Sequence, residues 1–321
     1  MNLRSLLAGV LLLATTAFAQ AADWPTRPVK LVVPSGPGSS PDIFARLLAA
    51  SLQQRTGQTF VVENRGGASG NLGMDAVAKS PSDGATLGIA FPAPLTTNTV
   101  MMKKMPFDVR RDLQLVTNAV LQPTVLVVGK HLEVNNFAEF AALMRKNPGK
   151  YNSASTGAAS LGRLLAEALA SAVGTKVENV VYNGAAPTMV ALTRGDVDFA
   201  FLPAAGSMSF AQSGRVTLLA IAGDKRSSLL PNVPTLKELG HGEVDGSNWL
   251  GIVAPGGLPA DVAARVRQEV LAALNTADTR KLLAESYMEV IGSTPAEFAQ
   301  TVADDTRRWK PLIERLALTI D

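Results

Sequence analysis

The sequence predicts an α/β fold, and three observations carry that expectation. Short apolar runs suited to buried strands alternate with stretches whose apolar residues recur on one helical face. Gly, Ser and Pro gather where a run gives way to a helix. The chain has 321 residues, 47% of them apolar, enough for packed cores and about two domains at roughly 100–200 residues each. Strands that alternate with helices favour mainly parallel sheets covered on both faces.

The elements follow in order. Arg4 precedes the apolar run Leu6 to Ala14, and Ala17-Phe18-Ala19 and Gln20-Ala21-Ala22 offer small-x-small cleavage patterns. Residues 1–21 therefore read as a secretory signal, cleaved near Ala19 or Ala21; the run falls short of the ~20 residues a bilayer span needs. The first strand is Lys30 to Val33, and the helix after it places Ile43, Phe44, Leu47, Leu48 and Leu52 on one face. Further strands are expected at Thr59 to Val62, Thr86 to Ile89, Thr124 to Val128, Val177 to Val181, Phe199 to Leu202, Val216 to Ile221 and Leu250 to Val253. Helices are expected at Phe137 to Arg145, Leu161 to Ala172, Pro187 to Arg194 and Val262 to Leu274. In the last helix Thr294 is the N-cap, Pro295 the first helical residue and Glu297 the third, a capping box.

Composition excludes several function classes. With 30 Lys+Arg against 27 Asp+Glu the net charge is +3, and no basic run exceeds two residues, so no nucleic-acid partner is expected. Zero cysteine removes thiol catalysis, disulfides and thiolate metal sites. His131 and His241 are the only histidines, and both read as solvated loop residues. Gly36-Pro37-Gly38 fails as a dinucleotide fingerprint because Pro41 stands where the third glycine belongs. Gly157 to Gly162 is one residue too long for a nucleophile elbow. Asp196 and Asp198 could hold a cation but read as solvated or capping. No catalytic residue, metal or cofactor is expected.

Three loops remain. Pro34 to Asp42 joins the first strand to its helix, with Ser40 as the expected N-cap and Pro41 after it. Ser153 to Ser160 and Asn183 to Pro187 repeat the layout, with Pro187 again at a helix start. A helix N-terminus offers unpaired amides and roughly half a positive charge, so it can hold a small anion without a basic side chain. In open parallel sheets ligands sit beyond the carboxyl ends of the strands, where these loops lie.

Seven strings in order carry a family resemblance across the chain from about Trp24 onward. They are Leu31-Val32-Val33-Pro34 with Gly38-Ser39 and Asp42 to Arg46; Val62-Glu63-Asn64-Arg65 with Gly70 to Gly73; and Pro81-Ser82-Asp83-Gly84 with Thr86-Leu87. Tyr182 to Pro187, Gly195 to Asp198, Leu230 to Thr235, and Trp249-Leu250-Gly251 with Ala254-Pro255 and Pro259 follow. The chain resembles the Bug or TctC family of periplasmic solute-binding proteins, receptors of tripartite tricarboxylate transporters.

The resemblance implies a two-lobed, Venus-flytrap architecture: residues 24–124 plus 248–321 as a discontinuous first lobe and 125–247 as the second, each a mainly parallel sheet flanked by helices. It implies a periplasmic monomer that closes on a carboxylate and delivers it to a membrane transporter; a sensor protein as partner, or an exported serine hydrolase using Ser160 or Ser39, is the alternative. Carried over residue by residue, the grip comprises Ser35, Gly38, Ser39 and Ser40 in the first lobe, and Ser153, Thr156, Gly157, Ala158, Ala159 and Ser160 in the second. Asn71, Phe91, Pro92, Tyr182, Asn183 and Pro203 are wall positions. Asp42 and Arg46 match the motif from a helix. Four positions depart from the family pattern: Leu161 replaces a frequent histidine, Asn183 a lysine, Leu202 an aspartate and Ser35 an aromatic. These departures imply a mono- or dicarboxylate with an apolar or aromatic body.

Overall fold

The apolar run Val29–Val33 forms strand β1 in the computed structural model, which describes residues 24–246 and 248–320. The expected export signal lies outside the described residues. β1 pairs in parallel with β2 (Phe60–Asn64) and β3 (Thr86–Ala90). Beyond β3 come β10 (Asn248–Pro255), β4 (Leu113–Gln122) and the two-residue β11 (Glu289–Val290), all joined antiparallel, giving the order β11-β4-β10-β3-β1-β2. A second sheet, β7-β6-β8-β5-β9, repeats the plan. There β6 (Asn152–Ser155) lies parallel to β7 (Glu178–Val181) and β8 (Phe199–Pro203), while β5 (Thr124–Gly129) runs antiparallel to β8 and to β9 (Val216–Ala222).

Both sheets are thus mixed, and the mainly parallel arrangement expected from the alternation is found in only half of each. The reason is the path of the chain. β4 leads into β5 through Pro123 alone, and β9 returns to β10 through residues 223–247. The strand by which the chain enters each sheet from the other, β5 or β10, runs against the βα units and pairs antiparallel with its neighbours on both sides. Pro123 has no N–H to pair, and its carbonyl accepts from the Ala204 amide at 2.9 Å.

The helices pack as their apolar faces dictate. α1 (Ser40–Thr56) buries Phe44, Leu48 and Leu52 against β1 and its neighbours, and α5 (Phe137–Lys146) buries Phe140 against Phe199 of β8, ring centroids 5.3 Å apart. α11 (Pro295–Arg315) starts with the expected capping box. Its first turns set Phe298 edge-on to Trp249 of β10 at 5.1 Å, and its later turns bury Trp309 and Ile313 in the core of the second sheet. Those positions lie about 16 Å apart along a helix. The expectation that the whole C-terminal segment belongs to the first lobe is corrected: α11 braces both. Met101, at the end of α4 (Thr97–Met101), also joins the second core.

Candidate functional site

Six parallel strands deliver the chain from their carboxyl ends into helices. β1, β2 and β3 feed α1, α2 (Asn71–Ala78) and α3 (Pro92–Leu95); β6, β7 and β8 feed α6 (Leu161–Ala172), α7 (Ala185–Arg194) and α8 (Ala204–Gln212). Their N-cap residues, Ser39, Gly70, Phe91, Ser160, Gly184 and Pro203, make no side-chain capping bond. Elsewhere, α5, α10 (Ala277–Glu285) and α11 are capped by Asn136, Thr276 and Thr294, whereas α4 behind Thr96 and α9 (Ala260–Leu274) behind Pro259 also lack a side-chain cap. First-turn amides have no intrahelical acceptor, so an uncapped start leaves them for water or an anion. The two sets of loops meet. Thr97 Oγ1 donates to the Ala159 carbonyl at 2.9 Å, and a Cβ built on Gly157 would lie 3.7 Å from Ser69 Oγ.

The first grip loop is held from behind by charge. Asp42, buried at 2% exposure, accepts the Gly38 amide at 2.9 Å and the two-pronged guanidinium of Arg46 at 3.0 Å on each oxygen. Asn64, the last residue of β2, donates to Asp42 Oδ1 at 3.0 Å and to the Ser35 carbonyl at 3.1 Å. Burial works to raise the Asp42 pKa, but the hydrogen bonds from Arg46, Gly38 and Asn64 outweigh it and hold the carboxyl below its ordinary value. Ser39 Oγ donates to the Gly36 carbonyl at 2.7 Å, so its contact with Ser35 Oγ at 2.7 Å is a bond donated by Ser35. Gly38 takes φ +76°, a conformation only glycine adopts without strain. The helix cap is Ser39 and not Ser40, one residue earlier than expected, because the Ser39 hydroxyl turns back into the loop.

The second grip loop is held without a carboxylate. Asn179 of β7 donates to Ser153 Oγ at 2.8 Å and accepts from Ser155 Oγ at 2.7 Å. Arg163 Nη1 donates to the Ala158 carbonyl at 2.9 Å. One turn on, burial pushes the Glu167 carboxyl up, with the Arg163 charge opposing and Glu178 adding to the rise. Ser160 Oγ is buried without a hydrogen-bond partner, as is Arg163 Nε. Thr156, Gly157 and Ala158 are half-buried.

The remaining expected positions divide. Ser153 and Ala159 are fully buried and Asn71 nearly so: the Ser153 hydroxyl serves Asn179, the Ala159 carbonyl serves Thr97, and the Asn71 amide donates to Met102 Sδ while its oxygen accepts from Asn98. Phe91, Tyr182 and Pro203 are half-buried at strand ends, Pro92 is buried, and Asn183 is exposed. Of the departures, Leu161 packs on the second core and Leu202 is buried beside β5. α7 starts at Ala185, two residues before the expected Pro187, behind Gly184.

His131 is exposed as expected, and its Nε2 meets Asp198 Oδ1 at 2.8 Å; His241 is half-buried, edge-on to Phe137 at 5.2 Å between ring centroids. Asp198 also accepts the Asn152 amide, so it fastens β6 to the β8 entrance. Sequence reasoning missed Ser69. It sits at φ +50° after Ala68 at +47°, a strained turn that presents its hydroxyl toward Gly157; the signal was the string Gly66-Gly67-Ala68-Ser69-Gly70. Among the described residues no cluster of three or more His, Asp or Glu is placed to hold a metal, and no helix is long and apolar enough to cross a membrane.

Comparisons with known proteins find relatives over nearly the whole chain. The family described as "Tripartite tricarboxylate transporter family receptor" matches residues 44–318. Protein BugT of Bordetella pertussis is 33% identical over 320 residues, 98% of each chain. Among solved structures, the R. palustris protein Rpa4515 with adipate is 31% identical with a TM-score of 0.87, covering 92% of this chain and 99% of its own. MatC from Rhodopseudomonas palustris with bound malate is 27% identical with a TM-score of 0.82, covering 90% and 100%.

Proposed function

The chain belongs to the tripartite tricarboxylate transporter receptor family, and from that premise we propose that it captures a small mono- or dicarboxylate between two lobes in the periplasm and delivers it to a membrane transporter. The family is one of solute-binding receptors and not of enzymes. The observation that carries the reading is the convergence of five uncapped helix starts, those of α1 and α2 from the first sheet and of α6, α7 and α8 from the second; the four-residue α3, with Pro92 and Pro94, has too few amides to count. Such starts hold carboxylates through amides and hydroxyls, with no side-chain cation.

Strand membership supports a lobe division close to the expected one, with β1 to β4, β10 and β11 on one side and β5 to β9 on the other, Thr124 falling in β5 and so in the second lobe, and α11 as a brace. In the ligand grip, Ser40 and the first-turn amides of α1 act from the first lobe, where the Ser35 and Ser39 hydroxyls are already bonded within the loop and fix its shape; Thr156 to Ala158 with the unpartnered Ser160 hydroxyl act from the second. Gly38, Asn71, Ser153 and the Ala159 carbonyl support from behind, since these groups already have partners. Phe91, Pro92, Tyr182, Asn183 and Pro203 wall the cleft. Leu161 and Leu202 contribute no charge, which fits a ligand with an apolar body, as in the adipate bound by Rpa4515.

Calorimetric titration with adipate, malate, citrate and phenylacetate tests the proposal. Adipate or phenylacetate should bind with micromolar or tighter affinity and reduce the radius of gyration in scattering. Binding of citrate alone overturns the ligand class, and an unchanged shape at saturation overturns closure.

A further inference from the structure

Three polar groups beside one peptide of the second grip loop have no partner. Ser160 Oγ and Arg163 Nε are buried and unbonded, and the amide of fully buried Ala159 donates to no group among the described residues. A buried donor without an acceptor is costly, so this cluster suits an acceptor that comes with the ligand. The chain is fixed here at two successive carbonyls: Arg163 Nη1 donates to that of Ala158 and Thr97 Oγ1 to that of Ala159, each at 2.9 Å. In a trans peptide the carbonyl and the N–H that follows it point in opposite directions. With the Ala158 carbonyl turned to the guanidinium, the Ala159 N–H is turned away from it.

Charge distinguishes this arginine from its counterpart in the first lobe. The Arg46 guanidinium is spent on Asp42, 3.0 Å away. Arg163 forms no ion pair among the described residues; Glu167, one turn on, and Arg163 act on each other only through space. We propose that Arg163 is the positioning residue for the ligand's carboxylate: its guanidinium sets the peptide so that the Ala159 amide and the Ser160 hydroxyl face the carboxylate, with a positive charge one peptide behind them. A guanidinium suits both tasks, because its fork of donors can hold a carbonyl while its charge stays on at every working pH. The proposal rests on the receptor reading above and deepens it. It assigns the ionised end of the ligand to the second lobe, and the first lobe, whose arginine is cancelled by Asp42, closes over the remainder.

The test titrates the full mature chain and three variants with adipate, phenylacetate, malate and citrate in a calorimeter, at low and at high salt. Arg163→Lys keeps the charge, Arg163→Gln keeps a donor for the Ala158 carbonyl without the charge, and Arg163→Met keeps neither. Affinity for every acid that binds should fall by about threefold in the lysine variant, about tenfold in the glutamine variant and about thirtyfold in the methionine variant. Between about 0.03 M and about 0.3 M sodium chloride the native chain and the lysine variant should lose affinity, and the two neutral variants should lose much less. Hydrogen exchange of residues 156–162 without any acid should quicken in the methionine variant and stay native in the glutamine variant, which reads the hold on the loop apart from the charge. Equal affinity in all four chains, or a native salt dependence in the glutamine variant, overturns the role. Phenylacetate affinity unmoved while adipate affinity falls overturns the assignment of the ionised end, since its one carboxylate would then sit on the first lobe. A native chain that binds none of the acids removes the receptor reading and this role together; a native chain that binds, with variants that match it, removes this role alone.

Discussion

The two grip loops occupy equivalent places and are supported by different chemistry. In each lobe an asparagine on the neighbouring parallel strand fastens the loop that leaves the first strand: Asn64 stands beside Val33, and Asn179 beside Ser153. In the first lobe that asparagine works with a buried carboxylate and an arginine. In the second it works with two serine hydroxyls, and the arginine there reaches a carbonyl instead of an acid. One geometric need, fixing a tight loop at a strand end, is met once by a buried carboxylate paired with a guanidinium and once by amide and hydroxyl bonds with a guanidinium on a carbonyl. The loops should therefore differ in how much each support contributes and in their response to pH.

The largest effect is expected at Asp42. Asp42→Ala leaves the Gly38 amide, the Arg46 guanidinium and an Asn64 donor without their acceptor, and hydrogen bonds to charged groups contribute ~1.5–3 kcal/mol each. Urea unfolding should show a loss of about 3 kcal/mol, with adipate affinity reduced at least tenfold. A change within 0.5 kcal/mol would show that charge is incidental to the first loop. Asn179→Ala removes two neutral bonds of ~1 kcal/mol each, so a loss of about 1–2 kcal/mol is expected. A loss equal to that of Asp42→Ala would erase the comparison.

Acid pH sharpens it further. The Asp42 carboxyl titrates below its ordinary value of 3.8 in the folded chain, so its ionised form stabilises the fold. That contribution is present above the unfolded value and is lost as pH falls through the lowered folded one. Asp42→Asn should flatten the fall in stability below pH 4 relative to the native chain. Asn179→Ala should run parallel to the native profile over the same range, because no carboxyl takes part in the bonds it removes. Crossed profiles would assign the acid sensitivity to the second lobe.

Much of this architecture was legible in the sequence. The strand runs, the helix at Leu161–Ala172 and the capping box at Thr294 follow from local periodicity and cap chemistry. The antiparallel half of each sheet was not legible, since β4 carries buried Thr117, Asn118 and Gln122 and lacks a clean apolar run. The bracing role of α11 was hidden because two apolar stripes on one helix do not say that they serve different cores. At the site, the grip loops could be read from Gly, Ser and Pro spacing. Which of their hydroxyls and amides are already spent depends on residues such as Asn64, Thr97 and Asn179, distant in sequence and brought close only by strand pairing and helix packing.

The smallest expected effect concerns the contact between the loops' own elements. Thr97 Oγ1 and the Ala159 carbonyl are 2.9 Å apart and buried, so Thr97→Val keeps the shape and removes one neutral bond, about 1 kcal/mol. That is about fivefold in an equilibrium. If the bond holds the lobes together, the ligand-free variant should shift toward an expanded form in scattering and bind adipate about fivefold more weakly, with faster release. Unfolding by urea should change by no more than the same amount. If the variant loses stability while its ligand-free shape and adipate release match the native chain, the bond supports the second loop locally, like Asn179, and the closing force lies in the ligand's contacts with the two sets of helix starts.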